Sequence, residues 1–183
     1  MSNDLKFKIS HKVTEDNSSN FTIKPLDRGY GITIGNSLRR ALLTAVPGAA
    51  ITNVKIEGAH HEFSTIDGVT EDVADVIMNL KGVRFHLFES SVEPIFLKVK
   101  GPKAFTAADI QAVSDDFTIL NPDHYITDIG KGTTLEVELR LGIGKGYKSS
   151  EENKLNNSPV GMIPIDSIFN PVTKVSFNVS PLP

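Results

Sequence analysis

An apolar stripe predicts the first helix of the chain. Its members recur every three to four positions, which is the spacing of one helix face, and they are Ile34, Leu38, Leu42 and Ala45. The helix is predicted to run to Val46, because the Pro47-Gly48 that follows ends such a pattern. Just before the stripe, the glycines of Arg28-Gly29-Tyr30-Gly31 predict a turn.

A second helix is predicted after Thr70, whose hydroxyl is suited to capping it. Glu71 and Asp72 would lie in its first turn, where the helix dipole stabilises negative charge. Lys81-Gly82 is predicted to be its C-terminus. Its buried face would consist of the apolar residues at i, i+3, i+4 and i+7, which are Val73, Val76, Ile77 and Leu80.

Alternating apolar and polar residues predict β-strands in much of the remaining chain. Near the N-terminus, a strand with Leu5, Phe7 and Ile9 would form a hairpin with Phe21-Thr22-Ile23, across a polar loop at Glu15 to Asn20. Ile51 to Glu57 would be a half-exposed strand with Asn53 on its polar face. Further strands are predicted at 83–87, 95–99, 135–141 and 175–179, and a short helical turn at 106–110.

The composition narrows the classes of function. The chain has 183 residues, 39% of them hydrophobic, which is enough for one or two compact domains. Its 19 basic and 22 acidic residues give a net charge of −3, so direct binding to nucleic acid is not expected. Cysteine is absent, which removes disulfides and thiolate ligands. Because no secretion signal and no run of about 18 apolar residues occurs, we expect a cytoplasmic protein without membrane contact.

Two glycine-rich stretches superficially resemble phosphate-binding loops. Gly29 to Gly35 has the spacing GxGxxxG and no βαβ pattern around it, so it is interpreted as a structural turn with close helix packing. In Gly142 to Ser149, Gly144-Lys145 is followed by glycine rather than Ser or Thr, so a mobile loop after a strand is predicted.

Metal and catalytic sites find no support in the pattern of polar residues. His60-His61-Glu62 lacks HExxH spacing, and neighbouring strand residues point to opposite faces, so a structural or interface role is preferred. The carboxylates at 67, 71, 72, 115 and 116 have no recognisable nucleophile or base beside them. No catalytic residue, metal site or cofactor is therefore predicted.

Arg39-Arg40 places two charged residues within the predicted first helix. Adjacent positions differ by about 100° around a helix axis, so at least one guanidinium lies near the apolar stripe. Arginine is enriched in protein interfaces, which favours a partner carboxylate or carbonyl as its target. The alternative is a pair of solvated arginines with buried stems.

The stretch from Pro25 to Leu43, PLDRGYGITIGNSLRRALL, resembles the first conserved segment of the bacterial RNA polymerase alpha-subunit family. Similar segments follow in the family's order and spacing, and the resemblance covers nearly all of the chain after Asn20. These later segments lie at 56–58, 61–66, 68–69, 71–73, 79–83, 106–110, 120–122, 144–147 and 163–172.

This resemblance implies a non-catalytic assembly subunit with an α+β fold. In this family, a dimerisation domain is interrupted by an inserted domain, and the dimer is the platform for the large beta and beta-prime catalytic subunits. By position, residues 1–50 and 179–183 would form a partial dimerisation domain, and 51–178 an inserted domain with a mixed, mostly antiparallel sheet.

Residue roles implied by the resemblance fall into two sets. The helix stripe of Ile34, Leu38, Leu42 and Ala45 would lie at the dimer seam, in a homodimer or in a heterodimer with an alpha subunit. Contacts to the large subunits would come from Arg39, Arg40, Leu43, His61, Glu62, Phe63, Glu71, Asp72 and Lys81.

The resemblance departs from the family pattern at the ends. The family's dimerisation domain is completed by strands and a long helix after the position of Val179, and a DNA-binding domain follows a linker. Without that helix, the apolar face of Leu38 and Leu42 is expected to be buried by dimerisation, rearrangement or another chain. A shortened paralogue that regulates polymerase assembly and an unrelated small enzyme that uses the glycine-rich loops remain alternative hypotheses.

Overall fold

The chain divides into two units, each held together mainly by its own contacts. Residues 1–42 and 174–183 form the first unit, and residues 43–173 form the second. The structure, a computed structural model, describes residues 7–14, 17–88 and 93–181. The predicted strand residue Leu5 and the predicted loop residues Glu15 and Asp16 lie outside the described residues.

A β-hairpin opens the first unit. It consists of β1 (Lys8–Thr14) and β2 (Ser18–Lys24), which pair antiparallel with His11 opposite Phe21. The predicted hairpin is thereby confirmed. The loop predicted to extend to Asn20 is too long, because Ser18 already belongs to β2; Asn17 adopts a φ of 55°, which asparagine tolerates, and this tightens the turn.

The first helix, α1 (Tyr30–Thr44), is longer at its start than its apolar stripe indicated. The turn lies at Arg28 and Gly29, where Gly29 has a φ of +91°, and helix geometry begins directly after it. At the other end, α1 stops at Thr44 rather than Val46, because Pro47 begins the next strand.

The segment from Lys174 to Pro181 packs on α1 and is not a strand, so the strand predicted at 175–179 is wrong. A methyl group on Gly31 would approach Cγ1 of Val179 to 2.8 Å, and one on Gly35 would overlap the ring of Phe177. The alternating apolar side chains thus face a helix instead of a sheet. The interpretation of this GxGxxxG stretch as a site of close helix packing is confirmed.

The second unit is built from ten strands and three helices among its described residues. They are β3 (Pro47–Ile56), α2 (Val73–Lys81), β4 (Phe85–Leu87), β5 (Ile95–Lys100), β6 (Lys103–Thr106), α3 (Ala107–Gln111), β7 (Phe117–Ile119), β8 (Tyr125–Ile129), β9 (Thr134–Lys145), β10 (Tyr147–Lys148), α4 (Ser150–Asn153), β11 (Met162–Pro164) and β12 (Ser167–Ile168).

An antiparallel sheet in the order β5-β9-β3-β4-β7 forms the centre of this unit, and β11 also pairs with β3. Two smaller sheets join β6 to β8 and β10 to β12, and every strand pair in the described chain is antiparallel. The predicted α+β class is confirmed, as are the strands β4, β5 and β9 and the helical turn α3. The strands β6, β7, β8, β10, β11 and β12 were not predicted, because runs of two to five residues show too little alternation.

A β-bulge in β3 places Asn53 on the buried face, opposite to the face predicted for it. The register with β9 shifts between Ile51 and Asn53, so Asn53 turns inward and is only 2% exposed. Its side-chain amide donates to the backbone oxygen of Asn153 at 3.1 Å, and the Asn153 amide donates to the backbone oxygen of Ile165 at 2.7 Å. These bonds satisfy amide N–H donors that would otherwise be costly to bury, whereas the side-chain oxygen of Asn153 is buried without a partner among the described residues.

The helix α2 supplies one side of the core. Its predicted buried face of Val73, Val76, Ile77 and Leu80 is confirmed, and α2 contacts β3 and β8. The predicted cap is wrong by two positions: Asp72 rather than Thr70 caps the helix, because its carboxylate accepts from the backbone of Asp75 at 2.9 Å. The predicted end at Lys81-Gly82 is confirmed.

Candidate subunit-contact surface

The helix α1 presents charged and apolar side chains side by side. Arg39 and Arg40 are both exposed, and Leu43 is half-buried. In the stripe predicted for dimerisation, Ile34 and Leu42 are half-buried, Leu38 is 43% exposed and Ala45, just beyond the helix, is exposed. No residue of α1 is fully buried by the part of the chain that the structure describes. This helix therefore carries an apolar surface beside two arginines.

A second candidate surface is the segment between β3 and α2, residues 57–72, which we call the contact loop. At its tip, His60, His61, Glu62 and Phe63 are all exposed, and Phe63 is 79% exposed. The tip is closed by a bond from the backbone N–H of Ser64 to the His61 oxygen at 3.1 Å. The ring of Phe63 is thus held out into solvent beside a hydrogen-bonded turn.

Backbone hydrogen bonds fix the returning half of the contact loop to the end of β8. The backbone N–H of Thr70 donates to the Asp128 oxygen at 3.0 Å, and Val69 forms a bridge with Ile129. The N–H of Gly130 donates to the Gly68 oxygen at 2.7 Å. The contact loop is therefore an ordered extension of the β8 edge.

The side chain of Glu71 adds further hydrogen bonds between the contact loop and β8. Its carboxylate accepts from the Tyr125 hydroxyl at 2.7 Å, the Thr127 hydroxyl at 2.5 Å and the Asp128 backbone N–H at 3.2 Å. Burial raises the pKa of Glu71, but the hydrogen bonds from Thr127, Tyr125 and Asp128 together hold that pKa below its ordinary value. Burial and the neighbouring Glu71 carboxylate raise the pKa of Tyr125.

Two of the predicted contact residues, Asp72 and Lys81, have structural roles at the two ends of α2. Asp72 caps the N-terminus, and Lys81 in the last turn forms an ion pair with Asp166. The hydrogen bond from Lys81 lowers the pKa of Asp166 more than burial raises it. Glu71, Asp72 and Lys81 therefore have structural partners. At the loop tip, Nδ1 of His61 lies 3.3 Å from the Ser64 hydroxyl, whereas Glu62 and Phe63 are exposed.

Comparison with known proteins places this arrangement in a family. The family model for the RNA polymerase Rpb3/RpoA insert domain matches residues 54–170, which is more than half of the chain. The chain belongs to the Rpb3/RpoA insert-domain family. The matched residues include the whole of the contact loop and α2.

The curated relatives of this Rpb3/RpoA-family chain are DNA-directed RNA polymerase alpha subunits. The subunit of Salinibacter ruber is 50% identical over 166 residues, covering 91% of this chain and 51% of the relative. That of Chloroherpeton thalassium is 48% identical, covering 87% and 48%, and that of Alkaliphilus oremlandii is 48% identical, covering 92% and 54%. The chain thus spans about half the length of the curated relatives it matches.

The second glycine-rich stretch of this Rpb3/RpoA-family member is part of the sheet. Residues 142–145 continue β9, and 147–148 form β10, so the predicted mobile loop is wrong. A methyl group on Gly144 would come within 2.6 Å of the Phe169 ring. This close approach of an aromatic side chain explains the glycine at position 144.

In the described ranges, no group of three or more His, Asp or Glu side chains is arranged to hold a metal ion. None of the helices in those ranges has the length and apolar character that crossing a bilayer requires.

Sequence reasoning missed the residues of the Rpb3/RpoA fold that hold the contact loop. Tyr125 and Thr127 lie on β8, which is too short to show a clear period, and they are far from Glu71 in sequence. Asp166 forms an ion pair with Lys81, a pairing that no local sequence pattern indicates.

Replacing Asp166 with asparagine is expected to lower stability at neutral pH by at most about 1 kcal/mol, since the pair is partly exposed. Because the folded-state pKa of Asp166 is lowered, its contribution is present above the unfolded pKa of about 3.9 and is lost as pH falls through the folded value. Urea unfolding of both proteins at pH 7 and pH 3 measures this. The difference should shrink at pH 3, and an equal difference at both pH values would contradict the assignment.

Proposed function

We propose that this chain is a non-catalytic, alpha-type assembly subunit of a cytoplasmic DNA-directed RNA polymerase, which dimerises and holds the large catalytic subunits. The observation that carries this proposal is the identity of 45–50% to polymerase alpha subunits over about nine-tenths of the chain. The surfaces on α1 and the contact loop fit such a role, because both expose apolar groups beside polar ones.

The domain assignment is part of the proposal. Residues 1–50 and 179–183 would belong to a partial dimerisation domain, and residues 51–178 to an inserted domain. The match of the insert-domain model to residues 54–170 supports an inserted domain in this region. The division of the chain into units at 43–173 and the remainder supports the same organisation, with somewhat different bounds.

Dimerisation is assigned to α1. Ile34, Leu38, Leu42 and Ala45 would lie at the seam with a second copy or with another alpha subunit. The partial exposure of this stripe supports the assignment, because an apolar helix face is stabilised when it is covered.

Contacts to the large subunits are assigned to two surfaces. Arg39, Arg40 and Leu43 would meet the beta-type subunit, with the guanidinium groups pairing to carboxylates or carbonyls. The contact loop and α2 would meet a large subunit of beta or beta-prime type. From these, the residues of the proposed contact are His61, Glu62, Phe63, Glu71, Asp72 and Lys81.

The proposal is tested by the binding of the chain to the beta-type subunit of the organism that encodes it. We expect a stable complex, and we expect Arg40→Ala to weaken it by about tenfold, or about 1.4 kcal/mol. Lys131→Ala, which removes an exposed cation from the β8–β9 turn, is the matched control and should bind like the unaltered chain. Isothermal titration calorimetry of the three proteins gives the comparison. Absence of a complex with the unaltered chain would refute the proposed function.

A further inference from the structure

Glu71 carries a further role, one that rests on the proposed function. We infer that Glu71 is a positioning residue: it holds the contact loop to β8 so that Phe63 is presented, already ordered, to an apolar pocket on a large polymerase subunit. Glu71 would then leave the proposed set of contact residues, because it would act through the loop and would not itself touch the partner. Phe63 would be the anchor that enters the partner.

The first argument is that the Glu71 carboxylate already accepts hydrogen bonds from its own chain. Tyr125, Thr127 and the backbone of Asp128 donate to its two oxygens, and two of these bonds are 2.7 Å or shorter. An ionised carboxylate that accepts several good hydrogen bonds gains little from a new partner and would lose these bonds on leaving. Glu71 is therefore suited to holding its own chain.

The second argument is the place of Glu71 in the loop. Its neighbour Thr70 is bonded to Asp128, which also donates to the Glu71 carboxylate. On the other side, the backbone N–H of Val73 donates to the oxygen of Ser64, next to the tip residue Phe63. The side chain of Glu71 thus fixes the point where the loop returns from Phe63 and enters α2. Release of the Glu71 side chain would leave only backbone hydrogen bonds to hold this point of the loop.

The third argument is the exposure of Phe63. Its side chain is 79% exposed although the backbone around it is hydrogen-bonded, so its ordering precedes any contact. A loop that is ordered beforehand loses less conformational entropy on binding, and aromatic anchors in apolar pockets carry much of the affinity of interfaces. An apolar pocket is the partner chemistry that fits an exposed phenyl ring.

The test measures the order of the loop and its binding separately. Glu71→Gln removes the charge, and Tyr125→Phe removes one hydroxyl from a residue that is 39% exposed, so folding is not at risk in the second variant. We expect faster amide hydrogen exchange at residues 58–70 in both variants, and weaker binding to the beta-type or beta-prime-type subunit, by about tenfold for Glu71→Gln. Asp115→Asn, an exposed carboxylate outside the contact loop and α2, is the matched control and should change neither.

A double-mutant cycle decides whether Glu71 acts through Phe63. Adding Phe63→Ala to Glu71→Gln should cost at least threefold less affinity than Phe63→Ala costs in the unaltered chain, because the ring is no longer held in place. Additive losses, or weaker binding by Glu71→Gln without faster exchange at 58–70, would overturn the positioning role. If the unaltered chain bound neither large subunit, the proposed function would fail instead. The exchange data would still show whether Glu71 holds the contact loop to β8.

Discussion

Replacing Phe63 with alanine is expected to weaken binding of the chain to the large polymerase subunit proposed as its partner by about thirtyfold, the loss of about 2 kcal/mol typical of an interface hot spot. The ring is 79% exposed, so its removal leaves no cavity in the free chain. Its contribution would arise only when an apolar pocket removes it from water. Stability of the free chain should therefore be unchanged within about 0.5 kcal/mol.

Calorimetric titration with the beta-type and beta-prime-type subunits measures this loss, and thermal unfolding of the free chain checks its stability. The control is Phe96→Ala, which truncates another exposed phenylalanine, 65% exposed, on β5. The control should retain the affinity of the unaltered chain. Equal effects of the two substitutions would show that Phe63 has no special place in the interface.

Replacing Phe105 with alanine is expected to lower the free energy of unfolding by about 3–5 kcal/mol. Phe105 lies on β6, is fully buried at 0% exposure and belongs to the core with Ile110 and Phe117. Its removal would lose the free energy gained by transferring the ring out of water and also the packing contacts of the ring. The space left behind would stay open, because β6 is held at a fixed register to β8. A large part of the stability of the second unit would be lost.

Urea unfolding followed by circular dichroism measures the Phe105 effect. Phe96→Ala again serves as the comparison, because it is the same chemical change on the exposed face of β5 and should cost less than about 1 kcal/mol. A loss below about 1 kcal/mol for Phe105→Ala would contradict the assigned core, because a fully packed ring cannot be removed at so small a cost.

A helix could be predicted from sequence where one of its faces is apolar without interruption. The spacing of Val73, Val76, Ile77 and Leu80 was sufficient for α2, because a face that packs on a sheet has to repeat with the helix. The strand β3 was predicted as well, but the inward position of Asn53 was not. That position follows from a bulge, which depends on the pairing with β9 rather than on the local sequence.

The candidate site shows the same limit of local patterns. The contact loop and α1 were located from sequence through the family resemblance, but the partners of Glu71 and Lys81 were not. Tyr125 is 54 positions from Glu71, and Asp166 is 85 positions from Lys81. Only the folded sheet brings these groups together. The assignments of contact and dimerisation residues stay predictions until binding is measured.

The glycines of α1 have a consequence for the order of folding during synthesis. Gly31 and Gly35 receive Val179 and Phe177, which the ribosome adds only after the whole of residues 43–173. Domains generally fold as units from the N-terminal side as the chain emerges, and contacts between distant residues form late. The intervening unit can therefore fold first, while the glycine face of α1 stays uncovered until residues 177–179 have been added.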